Sequence, residues 1–120
     1  MSDAAETTYQ LFQQGREHLK RGMAAQATVA LEKAKKRDPG KASIREALGI
    51  AYFRIRRWAE AEAEFRAVLE ISPVNDYAHY ALGRALEKQG KVREANGHYK
   101  LARTMKPHDE HYASRVLDLD

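Results

Sequence analysis

Pro39, Pro73 and Pro107 are the chain's only prolines, and they stand 34 residues apart. A proline lacks an amide hydrogen and clashes with the preceding helical turn, so each one ends a helix. Even spacing therefore sets the length of whatever lies between. Gly15, Gly49 and Gly83 keep the same interval, as do Ala27, Ala61 and Ala95, and Leu31, Phe65 and Tyr99. Four position types sharing one period over three copies specify a stack of equal units, a solenoid, rather than a single closed core.

Each unit reads as two helices. "ASIREALGIAYFRI" places Ile44, Ala47, Leu48, Ala51, Tyr52 and Ile55 on one face at steps of three and one, the signature of a 3.6-residue period. "WAEAEAEFRAVLEI" repeats it through Ala61, Phe65, Val68 and Leu69. No β-branched run competes. The turn between the helices falls on Gly22 in the first unit and Gly90 in the third, where a positive φ is cheap. Arg56 holds that place in the second unit, which predicts a strained or altered turn. The small Gly and Ala series lets paired helices approach closely, and Leu31, Phe65 and Tyr99 plug the space beside them. The expected division is a tail over 1–7, units at 8–41, 42–75 and 76–109, and a closing helix over 110–120. In that helix Ala113, Val116 and Leu117 are expected to cover the last unit.

Composition narrows the function. Of 120 residues, 43% are apolar and 32% charged, a folded and water-compatible balance. No apolar run reaches membrane-spanning length, and "MSDAAETTYQ" lacks the features of a signal peptide. The absence of cysteine excludes disulfides, thiol catalysis and Cys-zinc sites. The expected setting is the cytoplasm, or a soluble domain of a larger protein. Residues 1–60 carry 12 basic and 7 acidic side chains, against 9 and 10 in the remainder. The basic clusters are "KAKKR" (33–37) and "RIRR" (54–57).

"LGIAYFRIRRWAEAEAEFRAVLEISP" and "LGRALEKQGKVREANGHYKLARTMKP" resemble the tetratricopeptide repeat (TPR). The pattern is Leu48, Gly49, Tyr52, Ala61, Phe65, Val68 and Pro73 in the second unit. In the third it is Leu82, Gly83, Leu86, Ala95, Tyr99, Ala102 and Pro107. The first unit departs at Gln14 and His18 but keeps Gly15, Ala27, Leu31, Ala34 and Pro39. The resemblance spans 8–109. It implies an all-α solenoid of helix-turn-helix pairs, a right-handed superhelix with a concave groove, and binding rather than catalysis.

Chemistry-bearing residues are few. "HDEH" (108–111) follows Pro107 and reads as a solvated helix start rather than a metal site. His18 is expected to be packed, His79 to sit at a core edge, and His98 to be exposed. No phosphate-binding glycine loop occurs. Neither cofactor nor metal is expected.

The groove is the expected site. In a stack of helix pairs the first helices line the concave face. One stripe serves the core, and the next, at unit positions 2, 5, 9 and 12, faces the groove. It holds Tyr9, Phe12, Arg16 and Leu19, then Ser43, Glu46, Ile50 and Phe53, then Tyr77, Tyr80, Arg84 and Glu87. Seven of the twelve are aromatic or aliphatic, more than a solvated face needs. Lys20, Arg54 and Lys88 add positive charge at the rim. Some family members grip a peptide's terminal carboxylate with a Lys/Asn/Arg clamp. Its positions here are Phe12, Arg16, Ala47, Tyr77 and Ala81, of which only Arg16 could bind a carboxylate.

The sequence thus points to a non-enzymatic adaptor for a protein segment bearing aliphatic or aromatic and acidic side chains. It carries two rivals: self-association through the groove or the stack ends, and nucleic-acid binding through the basic clusters. Internal packing of the groove aromatics is a further alternative. No small-molecule substrate or membrane partner is expected.

Overall fold

A computed structural model describes residues 6–119. Among them are seven helices: α1 (Thr8–Lys20), α2 (Ala24–Arg37), α3 (Ala42–Arg54), α4 (Trp58–Ile71), α5 (Asp76–Lys88), α6 (Val92–Met105) and α7 (Glu110–Arg115). Each packs on its neighbours in chain order, giving a rod of 59 × 24 × 21 Å.

Three of the helix starts are marked by side-chain caps. Thr7 accepts from the Gln10 amide, while the Gln10 side chain returns to the Thr7 amide, so two otherwise orphaned donors are satisfied reciprocally. Asn75 caps α5 through the Ala78 amide, and Asp109 caps α7 through those of His111 and Tyr112. The tail expected over 1–7 needs correction at its end. Residues 1–5 lie outside the described residues, but Thr7 is the cap of α1. The Glu6 carboxylate accepts from Gln14, and its carbonyl from Arg37.

Within each pair the contact is made by the repeated small residues. Ala27, Ala61 and Ala95 are fully buried, as are Leu31, Phe65 and Tyr99. A Cβ on Gly49 would stand 2.8 Å from Phe65 Cε1, and one on Gly83 2.6 Å from Tyr99 Cε1. Only glycine admits the plug that closely, and each buried plug contributes about 2 kcal/mol. Two turns use Gly22 (φ 73°) and Gly90 (φ 81°). Arg56 adopts the same left-handed conformation, φ 63°. The second turn therefore keeps its shape and carries the strain in the residue.

Polar ties join successive units. Glu64, 5% exposed, accepts from Lys35 Nζ at 2.8 Å and Arg45 Nη1 at 3.1 Å. It thereby binds α2, α3 and α4 together. Tyr52 donates to Glu32 across the same junction, while Tyr99 donates to Glu87 within the third unit.

The closing segment differs from expectation. α7 has six residues, and its buried side chain is Tyr112, whose hydroxyl donates to Asp76 at 2.7 Å. Ala113 and Leu117 are exposed; Val116 alone of the expected trio packs on the core. After Arg115 the backbone leaves the helix, and the Leu117 amide and carbonyl both bond the side chain of buried Asn96. A backbone partner, rather than an apolar stripe, fixes this end.

Candidate binding groove

α3 and α5 lie side by side and expose one stripe each between the core and solvent. Ile50, Phe53 and Arg54 from α3, and Tyr77, Tyr80, Ala81 and Arg84 from α5, line a cavity of about 170 Å³. Its floor is Phe65 of α4. A space of this size accepts an aromatic ring or large aliphatic group. The wall rings support one another: Phe53 meets Trp58 edge-on at 4.9 Å, Phe65 meets Tyr77 at 6.4 Å, and Tyr80 leans on Tyr112 at 5.0 Å. The first two are favoured edge-to-face geometries, so the rings brace one another.

Charge sits at the cavity's edge. The Arg84 guanidinium lies 5.2 Å from the Phe53 ring centre, with Nη1 3.5 Å from the Tyr80 hydroxyl. The ring holds the cation in place while leaving donors free. Arg54 reaches back to the Leu19 carbonyl at 2.9 Å, closing the end of α1. Burial pushes the Tyr77 hydroxyl up from its ordinary range, with Glu46 adding to it.

A second depression continues the trough between α1 and α3. It is lined by Phe12, Arg16, Leu19, Lys20, Ser43, Glu46 and Ala47, and shares Ile50 and Arg54 with the first. Arg16 lies over the Phe12 ring at 5.6 Å.

Two groove-stripe residues, Tyr9 and Glu87, and the rim residue Lys88 fall elsewhere. Tyr9 is 68% exposed and lines a separate shallow depression with Gln10, Gln13 and Glu17. Position 2 of the stripe is flanked by the preceding unit in α3 and α5, whereas among the described residues no helix flanks it in α1. Lys88 lines neither depression; its Nζ sits 5.6 Å above the Trp58 ring. Glu87 turns away to the Tyr99 hydroxyl and Arg115. Phe65 and Ala81, which the stripe omits, line the cavity. Both occupy repeated core positions, and a core position next to a gap becomes a pocket floor.

Outside the groove, His98 is half-buried, not exposed. Its Nδ1 lies 3.0 Å from His79 Nδ1, while His79 Nε2 meets the Pro73 carbonyl at 2.9 Å. That carbonyl requires a proton on His79 Nε2, so His98 is the donor between the rings. Burial, then His79 and Arg66, hold the His98 pKa below its usual value. His18 is half-buried with its Nδ1 unbonded. The basic clusters are largely engaged: Lys35 with Glu64, Arg37 with the Glu6 carbonyl, Arg54 with Leu19 and Arg57 with Glu60. Among the described residues no set of three or more His, Asp or Glu is arranged to hold a metal ion. No helix among them is long and apolar enough to cross a membrane.

Stacked helix pairs enclosing a lined trough define a helical-repeat solenoid. Two tetratricopeptide repeat models match, over residues 12–76 and 56–115. The chain belongs to the tetratricopeptide repeat family, and its fold is that family's right-handed superhelix. Among solved structures it is similar to the first TPR of Spaghetti (RPAP3) bound to the HSP90 peptide SRMEEVD. That match has TM-score 0.86 and 21% identity over 91% of this chain and 86% of that one. It is also similar to MamA (TM-score 0.91, 21% identity, 96% and 67%). The second TPR domain of human RPAP3, in complex with the HSP70 peptide SGPTIEEVD, also matches, with TM-score 0.84 and 18% identity over 92% of this chain and 95% of that one. No curated protein sequence matches the chain.

Proposed function

We propose that the chain is a non-enzymatic protein-interaction module whose groove binds a segment of another protein. The observation that carries this is the α3–α5 cavity, an apolar, ring-walled space with Arg54 and Arg84 at its edge. Such a site takes an apolar side chain flanked by carboxylates. Similar folds bound to HSP90 and HSP70 peptides support a protein ligand. Both of those peptides end in EEVD, yet the clamp positions here hold Phe12, Arg16, Ala47, Tyr77 and Ala81. A ligand gripped along its length fits these residues better than one held by its terminal carboxylate.

Short labelled peptides with a tryptophan or leucine anchor between glutamates provide the test, read by fluorescence anisotropy. Phe53→Ala with Tyr80→Ala should weaken binding at least roughly tenfold. Circular dichroism should show the helices retained. Arg84→Glu, which reverses the charge at the cavity's edge and keeps both wall rings, should weaken it as well, and added salt should weaken the wild type. Unchanged affinity in both variants refutes the groove assignment. The nucleic-acid alternative finds little support, because Lys35, Arg37, Arg54 and Arg57 already have partners.

A further inference from the structure

Glu46 is the one acidic side chain among the described residues lining the two depressions of the groove. It is half-buried, and neither a hydrogen bond nor an ion pair holds it. Two of the three cations that share its depression are directed elsewhere, and the third, Lys20, forms no ion pair with it. Arg16 lies on the Phe12 ring, and Arg54 bonds the Leu19 carbonyl. Its acidic neighbour at the start of α5, Asp76, is occupied by the Tyr112 hydroxyl at 2.7 Å. The trough is therefore not uniformly positive. Between basic rims it has one negative spot, aimed at the space a ligand would fill. Burial, then the charge of Asp76, pushes the Glu46 carboxyl above the usual carboxylate range. A carboxylate so placed gains from a cation brought by a ligand.

We propose that Glu46 receives a lysine or arginine side chain of the bound segment. The groove then reads a mixed motif: an apolar anchor flanked by carboxylates in the α3–α5 cavity, and a cation displaced toward α1. This rests on the groove reading above and adds the partner's charge order to it. Charge complementarity also separates this occupant from an all-acidic segment, which would set a carboxylate against Glu46.

The same anchor peptides, with lysine, alanine or glutamate scanned through the positions beyond the anchor, test the motif. Wild type should prefer lysine over glutamate at one defined offset by roughly fivefold. Glu46→Gln, which preserves shape, should lose that preference, and Glu46→Lys should invert it. Affinity for the lysine peptide should rise with pH more than affinity for the alanine peptide, which shares the anchor's glutamates but brings no cation to Glu46. A lysine preference that survives in Glu46→Gln overturns the proposal. So does a wild type indifferent to lysine; if Arg84→Glu still abolishes binding there, the groove reading stands without Glu46. No binding of any anchor peptide to wild type removes both. A dimer in sedimentation that Phe53→Ala dissolves would make a second copy the occupant and would likewise overturn the motif.

Discussion

The first helices of units one and two occupy equal places in the repeat yet present opposite chemistry on one face. In α3 that face is Ile44, Ala47, Leu48 and Ala51, all buried against the preceding pair. In α1 the matching residues are Gln10, Gln13, Gln14 and Glu17, all exposed. Both helices pack equally well on their own partners through Gly15–Leu31 and Gly49–Phe65. A repeat position thus carries two demands. The contact inside a pair is fixed by the repeat, while the contact between pairs depends on whether a neighbour is present. Unit one's departure at Gln14 lies on the second surface.

Exchanging residues across this comparison should expose it. Leu48→Gln, which installs the unit-one residue in unit two, strands an amide in the core and should cost about 4 kcal/mol in urea unfolding. The reverse exchange, Gln14→Leu, should change stability by less than about 0.5 kcal/mol. Equal effects would erase the distinction between the faces. Next in size is glycine. Gly83→Ala drives a methyl into Tyr99 and should destabilise by about 2 kcal/mol, whereas Gly97→Ala, with no atom within 4 Å of the new methyl, should stabilise. Arg56→Gly makes the second turn like the other two and should raise stability by about 1 kcal/mol, read as a higher Tm. The smallest effect concerns pH. His98 has a depressed pKa in the folded state, so the unfolded chain takes up its proton first as pH falls below about 6.5. Stability should therefore be full above that pH and decline below it, by less than about 1 kcal/mol because the ring is half-exposed. His98→Gln should flatten that part of the profile in thermal melts.

The fold was legible because its signals are local and repeated. Prolines, paired glycines and the 3.6-residue stripe each act within one unit, and three copies remove ambiguity. The same stripe brings Ile50, Phe53, Tyr77, Tyr80 and Arg84 to one cavity. It could not reveal that Phe65, a core plug, also floors that cavity, because the gap exists only once α3 and α5 are set apart. Tyr9 fell outside for the complementary reason: its stripe position needs a neighbour on that side. The His79–His98 contact joins residues 19 apart on different helices, and no periodic pattern marks it. At the last helix, apolar spacing suggested Leu117, yet the Asn96 side chain captures that residue's backbone instead.

Glu64 has a consequence for how the rod comes apart. A stack in which each pair touches only the next has no closed core to enforce all-or-none unfolding, so cooperativity resides in its junctions. At the first junction one nearly buried carboxylate faces Lys35 on one side and Arg45 on the other. Without that anion the two cations would repel across the seam. The seam between the first hairpin and the rest of the rod would then be weakened more than the contacts inside either hairpin. Glu64 thus shares with Tyr52–Glu32 and Arg54–Leu19 the task of keeping the first hairpin attached.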